Sequence, residues 1–93
     1  MIRHVVMWEL VDPADAGRFA ERLRSCRALV PGMLAFDVGV RSEALPATAD
    51  VVLVADFADR GALDAYQAHP HHREVSAGLT ALRRTRHVLD FAP

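Results

Sequence analysis

The chain has no lysine: all eleven of its basic residues are arginines. Without an ε-amine no Schiff base can form, which removes amine-type aldolase chemistry and covalent pyridoxal phosphate. Cysteine is scarce too. Cys26 is alone, so the chain has neither an internal disulfide nor a cysteine metal site. It falls on the apolar side of a predicted helix and reads as a buried, inert thiol rather than a nucleophile. Charge of one sign is also missing. Eleven basic and twelve acidic residues are interspersed to a net −1, with no basic stripe or tail, which argues against nucleic acid and anionic membranes as partners. No apolar run approaches a membrane span, and the opening residues turn polar before a signal-peptide core could form, so the expected location is cytoplasmic. Ser25, Ser42 and Ser76 lack a nucleophile-elbow setting, and the five glycines form no phosphate cradle.

What the chain does have is apolar surface and histidine. Its 93 residues suit a single domain spanning 1–93, and such a short chain builds only a modest core. Yet 52% of the residues are hydrophobic, a surplus that points to a partner surface, most simply a second copy. Between Tyr66 and His72 lie the only tyrosine and three of the five histidines. These groups move protons near neutral pH, and Pro70 among them breaks any helix and re-aims the residues after it.

Hydropathy periodicity orders the elements. Ile2–Leu10 reads as a strand ending at Val11-Asp12-Pro13, where Asp12 can cap a helix and Pro13 suits its first turn. Ala16, Phe19, Ala20, Leu23, Cys26 and Val30 recur at helical spacing, and Pro31-Gly32 is the expected stop. From Met33 to Arg41 the pattern alternates, with Leu34, Phe36, Val38 and Val40 on one side. Residues 42–50 form a loop, and Val51–Ala55 is an apolar run expected to be a strand buried on both faces. Asp59 can cap a second helix carrying Leu63 and Tyr66. Beyond Pro70 a third helical piece aligns Val75, Leu79 and Leu82, and Thr85–Phe91 closes the chain as a strand.

The order β-α-β-β-α-β predicts an α+β ferredoxin-like sandwich, four antiparallel strands with helices on one face. The strands nonetheless look apolar on both sides. His4, Val6 and Trp8 share one parity in the first strand while Val5 and Met7 share the other; Val51 and Leu53 oppose Val52 and Val54 in the third. A bare apolar sheet face invites aggregation, and an isologous dimer would cover it.

The opening Ile-Arg-His-Val-Val-Met-Trp, the Val30–Met33 turn, the segment from Ala62 to His72 and the late Val88-Leu89-Asp90-Phe91 together resemble the stress-responsive dimeric α/β-barrel (Dabb) family. The resemblance implies a homodimer in which two ferredoxin-like sheets form a barrel. It also implies a chemistry, since the family includes a plant polyketide cyclase that carries out a cofactor-free intramolecular aldol condensation. By position, the catalytic pair of that enzyme corresponds to Tyr66 and His72, its strand histidine to His4 and its late aspartate to Asp90. Trp8 and Phe36 stand where the cyclase has smaller apolar groups, His71 replaces a small residue, and Ala20 and Leu23 replace aromatics. The pocket is therefore expected to differ in shape.

Each residue also has a plain structural reading. Tyr66 can be a core tyrosine, His4 a satisfied core histidine, His69 a cap at the helix break, and Asp90 a partner of a surface arginine. His71 and His72 lie at roughly 50° to either side of the Val75/Leu79/Leu82 stripe, so helical geometry does not choose between them; the resemblance selects His72. His69, His71, His72 and Glu74 lack the i, i+4 histidine pair of a zinc helix, so no metal is expected. The resulting expectation is a mostly apolar pocket for a small hydrophobic or aromatic ligand, lined by His4, Val6, Trp8, Phe19, Leu23, Phe36, Val51, Leu53, Val75 and Asp90. Tyr66 and His72 would act in it as acid and base without a cofactor. The rival expectations are a non-catalytic stress-associated binding protein for a hydrophobic metabolite, and a monooxygenase on the same barrel.

Overall fold

The computed structural model describes all of residues 1–93. Four strands, β1 (Ile2–Leu10), β2 (Met33–Val40), β3 (Val51–Phe57) and β4 (Arg83–Phe91), form one antiparallel sheet in the order β2-β3-β1-β4. Helices α1 (Ala16–Arg24), α2 (Arg60–Ala68) and α3 (Pro70–Leu79) cover one face. The predicted ferredoxin-like βαββαβ sandwich is what forms, with the second helical layer split at His69-Pro70.

Local chemistry explains the element starts. The Asp12 carboxylate accepts from the Ala14 amide at 3.0 Å, capping a short 3₁₀ turn (Pro13–Asp15) that leads into α1. Asp59 does the same for α2, accepting from Ala62 at 2.9 Å. Gly32 turns the chain into β2 at φ 88°, a left-handed conformation glycine adopts freely. A Cβ there would also lie 2.9 Å from that of Ala62, so the glycine lets α2 approach closely. Asp50, 6% exposed, ties three strand ends: its carboxylate accepts from the Leu10 amide at 2.8 Å, and its backbone bonds Trp8 and Arg41.

Three boundaries and one strand interior differ from the sequence reading. The first helix does not run to Val30; it ends at Arg24, and 3₁₀-type bonds carry the chain through a turn that holds Cys26. The Ser25 hydroxyl donates to the Arg22 carbonyl at 2.6 Å, and Ala28 enters the left-handed region at φ 59°, which an α-helix cannot continue through. In β2 a bulge between Met33 and Ala35 breaks the alternation, leaving Leu34 59% exposed instead of inward. Strand β3 continues past Ala55 to Phe57, and β4 begins at Arg83 rather than Thr85.

The core lies between sheet and helices. Val6, Leu10, Phe19, Ala20, Leu23, Cys26, Val51, Leu53, Ala55, Phe57, Leu63, Tyr66, Val75 and Leu79 are buried there, together with Trp8 and Val38. Strand β3 is not buried on both faces within the chain. Val51, Leu53, Ala55 and Phe57 are buried, whereas Val52, Val54 and Asp56 on the other face are only half covered.

Candidate functional site

The helix break that Pro70 imposes sets the orientation of the histidines. His69 sits in extended backbone between α2 and α3, and its Nδ1 accepts from the His71 amide at 3.1 Å. Its side chain thus caps the amides of α3, while its backbone N–H donates to the Tyr66 carbonyl at the end of α2. From that start His71 and His72 point to opposite sides. The His71 Nε2 meets the Ser25 hydroxyl at 2.8 Å on the outside, fastening α3 to the end of α1. His72 turns inward, its ring centroid 4.5 Å from that of Tyr66.

Tyr66 and His72 lie in a narrow cavity between the helices and the sheet, with a volume of about 30 Å³. Its walls come from His4, Val6 and Trp8 of β1, Leu53 of β3, Leu23 and Cys26 at the end of α1, Val75, Ser76 and Leu79 of α3, and Arg83 and Arg86 of β4. Six of the ten expected lining residues, His4, Val6, Trp8, Leu23, Leu53 and Val75, are among them. The other four stand behind or beside the wall. Phe19 packs on Trp8 at 5.2 Å between centroids and shapes the cavity from behind. Phe36 stands 6.3 Å from the Tyr66 ring, Val51 is buried deeper along β3, and Asp90 reaches the site only through His4.

Bulk explains the small volume. Trp8, Phe19 and Tyr66 occupy space that a ligand of ordinary size, roughly 300 Å³ or more, would need. A ligand of more than a few atoms enters only if this wall rearranges around it.

The two inner histidines are set up in opposite ways. His4 is 2% exposed, and its Nδ1–H donates to the Asp90 carboxylate across the β1–β4 ladder, where the two residues are directly paired. That contact fixes the tautomer and leaves Nε2 as the acceptor on the cavity side. His72 has no such partner: its Nδ1 is the one buried side-chain polar atom in the chain without a hydrogen bond. Burial lowers the pKa of its imidazole, the Gln67 backbone opposes that, and the neighbouring Arg86 guanidinium lowers it further. The ring is therefore neutral at pH 7. Burial also pushes the Tyr66 phenol well above its ordinary value, helped by Cys26 and opposed by Arg86, so its hydroxyl stays protonated. The Cys26 thiol is likewise raised by burial, which keeps it a thiol and unreactive.

No three His, Cys, Asp or Glu side chains converge closely enough to hold a metal ion. Cys26, Ser76, Leu79, Arg83 and Arg86 belong to the cavity and were not expected there. Leu79 was legible as core; the arginines were not, because they lie before or at the start of the strand as read from sequence.

The stress responsive A/B barrel domain (Dabb) family model matches residues 2–93. A comparison with curated proteins finds none that matches. Among solved structures, a dimeric ferredoxin-like protein of unknown function from Thermobifida fusca is 25% identical with a TM-score of 0.86, the alignment covering 99% of this chain and 90% of that one. A Dabb family protein from Mesorhizobium loti is 22% identical with a TM-score of 0.79, over 99% and 95% of the two chains. SnoaB, a cofactor-independent oxygenase from Streptomyces nogalater, is 20% identical with a TM-score of 0.78, over 99% and 91%. The last two likenesses are of fold alone. With the model covering nearly its whole length and the same sheet and helix arrangement in its neighbours, the chain belongs to the stress responsive A/B barrel domain family.

Proposed function

We propose that the protein is a homodimer of α/β-barrel type whose subunits each bind a small hydrophobic or aromatic metabolite and catalyse a cofactor-free proton transfer. The reaction class is an aldol-type cyclisation like that of polyketide cyclases. The observation that carries this reading is the Tyr66–His72 pair at 4.5 Å, with His72 neutral and Tyr66 protonated. A neutral imidazole accepts a proton from an acidic C–H, and a protonated phenol donates to the enolate oxygen that develops. The enolate carbon then attacks a second carbonyl of the same molecule. A C–C bond forms, the attacked carbonyl becomes an alkoxide, and the alkoxide recovers the proton from the imidazolium. No electron leaves the substrate, so no redox partner is required. His4, oriented by Asp90, presents Nε2 as an acceptor that positions a substrate hydroxyl.

The second copy belongs to this reading because the outer sheet face is apolar. Val5, Met7, Val52, Val54 and Leu89 lie on it, and Met7 and Leu89 are 45% and 64% exposed. A face-to-face pairing would bury these in an interface of the usual size, about 800 Å² from each partner, as the neighbours described as dimeric suggest.

The test is to purify the protein and identify what it carries by native mass spectrometry, then to assay turnover of that compound. A polyketide or aromatic product formed without added cofactor supports the reading. A bound metabolite released unchanged supports the binding-protein rival, and oxygen uptake supports the oxygenase.

A further inference from the structure

We propose that the ligand carries a carboxylate and that Arg83 and Arg86 hold it at the mouth of the cavity. This rests on the proposed acid–base reading of the same cavity and names the substrate's charged group. In a regular strand Arg83 and Arg86, three residues apart, would face opposite sides of the sheet. The register between β1 and β4 shifts between Glu9 and Leu10: Glu9 pairs with Thr85, but Leu10 pairs with Arg83, so Arg84 is the extra residue of a bulge. The bulge returns Arg83 to the inner face, where it joins Arg86, the partner of Trp8. Arg84 goes outward and meets the Glu9 carboxylate at 3.5 Å.

The two inward arginines are thus assembled by a local irregularity, and neither has an ion-pair partner; of the other arginines without one, Arg22, Arg27 and Arg73, none lines the cavity. The nearby carboxylate, Asp90, is occupied by His4. Both line the cavity, together with Tyr66 and His72. Two convergent guanidinium groups repel each other unless an anion sits between them, and their planar forks match a carboxylate. The pKa of Arg86 is lowered by burial and by the neighbouring charge of Arg83, with Asp90 and Tyr66 opposing, which agrees with this arrangement. The cavity is thus charged at its mouth and apolar along its walls, which fits an aromatic or short-chain carboxylic acid.

Trp8 is the single tryptophan and lines the cavity, so its fluorescence reports binding directly. The probes are benzoate and its uncharged counterpart benzamide, titrated into the wild-type protein at fixed ionic strength. Benzoate should bind saturably and roughly tenfold or more tighter than benzamide, the scale of charge-assisted hydrogen bonds. Arg86→Gln and Arg83→Gln should each erase most of that preference, and Arg86→Lys should restore part of it. Benzoate bound no tighter than benzamide, or a preference that survives both glutamine variants, overturns the proposal. The acid–base reading is tested separately, because His72→Gln should keep the benzoate preference while abolishing turnover. Benzoate preference lost in Tyr66→Phe and kept in the arginine variants would place the carboxylate at the inner pair and refute the assignment.

Discussion

On the helix-covered face of the sheet, His4, Val6, Trp8 and Leu10 of β1 are all at most 6% exposed; on the opposite face of the same strand Met7 is 45% exposed. Strand β3 repeats the contrast, with Leu53 buried and Val52 and Val54 half covered. The covered face carries the polar exceptions, His4 and the inward arginines, around a cavity of about 30 Å³. The open face is apolar along its middle, where Val5 pairs with Val54 and Leu89, and Met7 with Val52, with His87 and Asp37 flanking them on the outer strands. Its larger hollow, about 430 Å³ beneath residues 41–50, is floored by Met7, Gly39 and Val52 and holds no proton-transfer group beyond the Asp50–Arg41 pair at its edge. Size does not mark the chemistry here. The small cavity has convergent titratable groups; the large one has the composition of a contact surface.

The most forceful way to break this contrast is to charge the open face. Val52→Asp places a carboxylate at the centre of the proposed interface, where it would be desolvated without a partner at a cost of several kcal/mol. Sedimentation should then show a monomer or an unfolded chain. The same substitution on an isolated subunit would cost far less, because Val52 is only partly covered there. A wild-type protein that sediments as a folded monomer at micromolar concentration would remove the interface altogether.

Next in size are the changes on the covered face. His72→Gln or Tyr66→Phe should lower turnover roughly 10²–10⁴-fold with ligand affinity nearly unchanged, as expected for groups that act mainly in the transition state. Phenylalanine keeps the packing of Tyr66 against Phe57, whose centroid is 5.2 Å away, and deletes only the hydroxyl. Asp90→Asn should do less, roughly tenfold or under, since Asp90 acts by orienting His4. Its signature is a displaced pH–rate profile, which a purely structural role would not produce.

Both faces were partly visible in the sequence because strand parity separates His4, Val6 and Trp8 from Val5 and Met7 whatever the tertiary structure. The interior of the site was less so. His71 and His72 are equivalent by helical angle, and what separates them is Ser25, which lies beyond the end of α1 and binds His71. Periodicity alone carries that helix on to Val30, so it cannot place Ser25 at the terminus. Arg83 was hidden for a similar reason, whereas Arg86 shares strand parity with Asp90 and was passed over at the start of the strand. A one-residue bulge reverses side-chain parity, and nothing in Arg83-Arg84-Thr85-Arg86 marks which residue is the extra one. Leu34 was misplaced by the second bulge in the same way.

The smallest expected effect concerns the buried imidazole and pH. Burial lowers the pKa of His72 below its ordinary value near 6.5, so the unfolded chain binds this proton more readily than the folded one. The contribution to stability is therefore fully present above about pH 6.5 and is lost as the pH falls from there through the folded-state pKa. The ring is only half-buried and partly screened by solvent, so the loss should stay below ~1 kcal/mol. The urea midpoint of the wild type should fall slightly between pH 7 and pH 5. In His72→Gln that part of the slope should vanish, while the carboxylate-dependent loss at lower pH, including the Arg3–Asp56 pair at 2.9 Å, persists. The same ionisation governs catalysis, since only the neutral ring can take a proton. The rate should rise with pH through a group titrating below 6.5, and not through one above it. A profile controlled by a group above that value would leave His72 as a packing residue rather than the base.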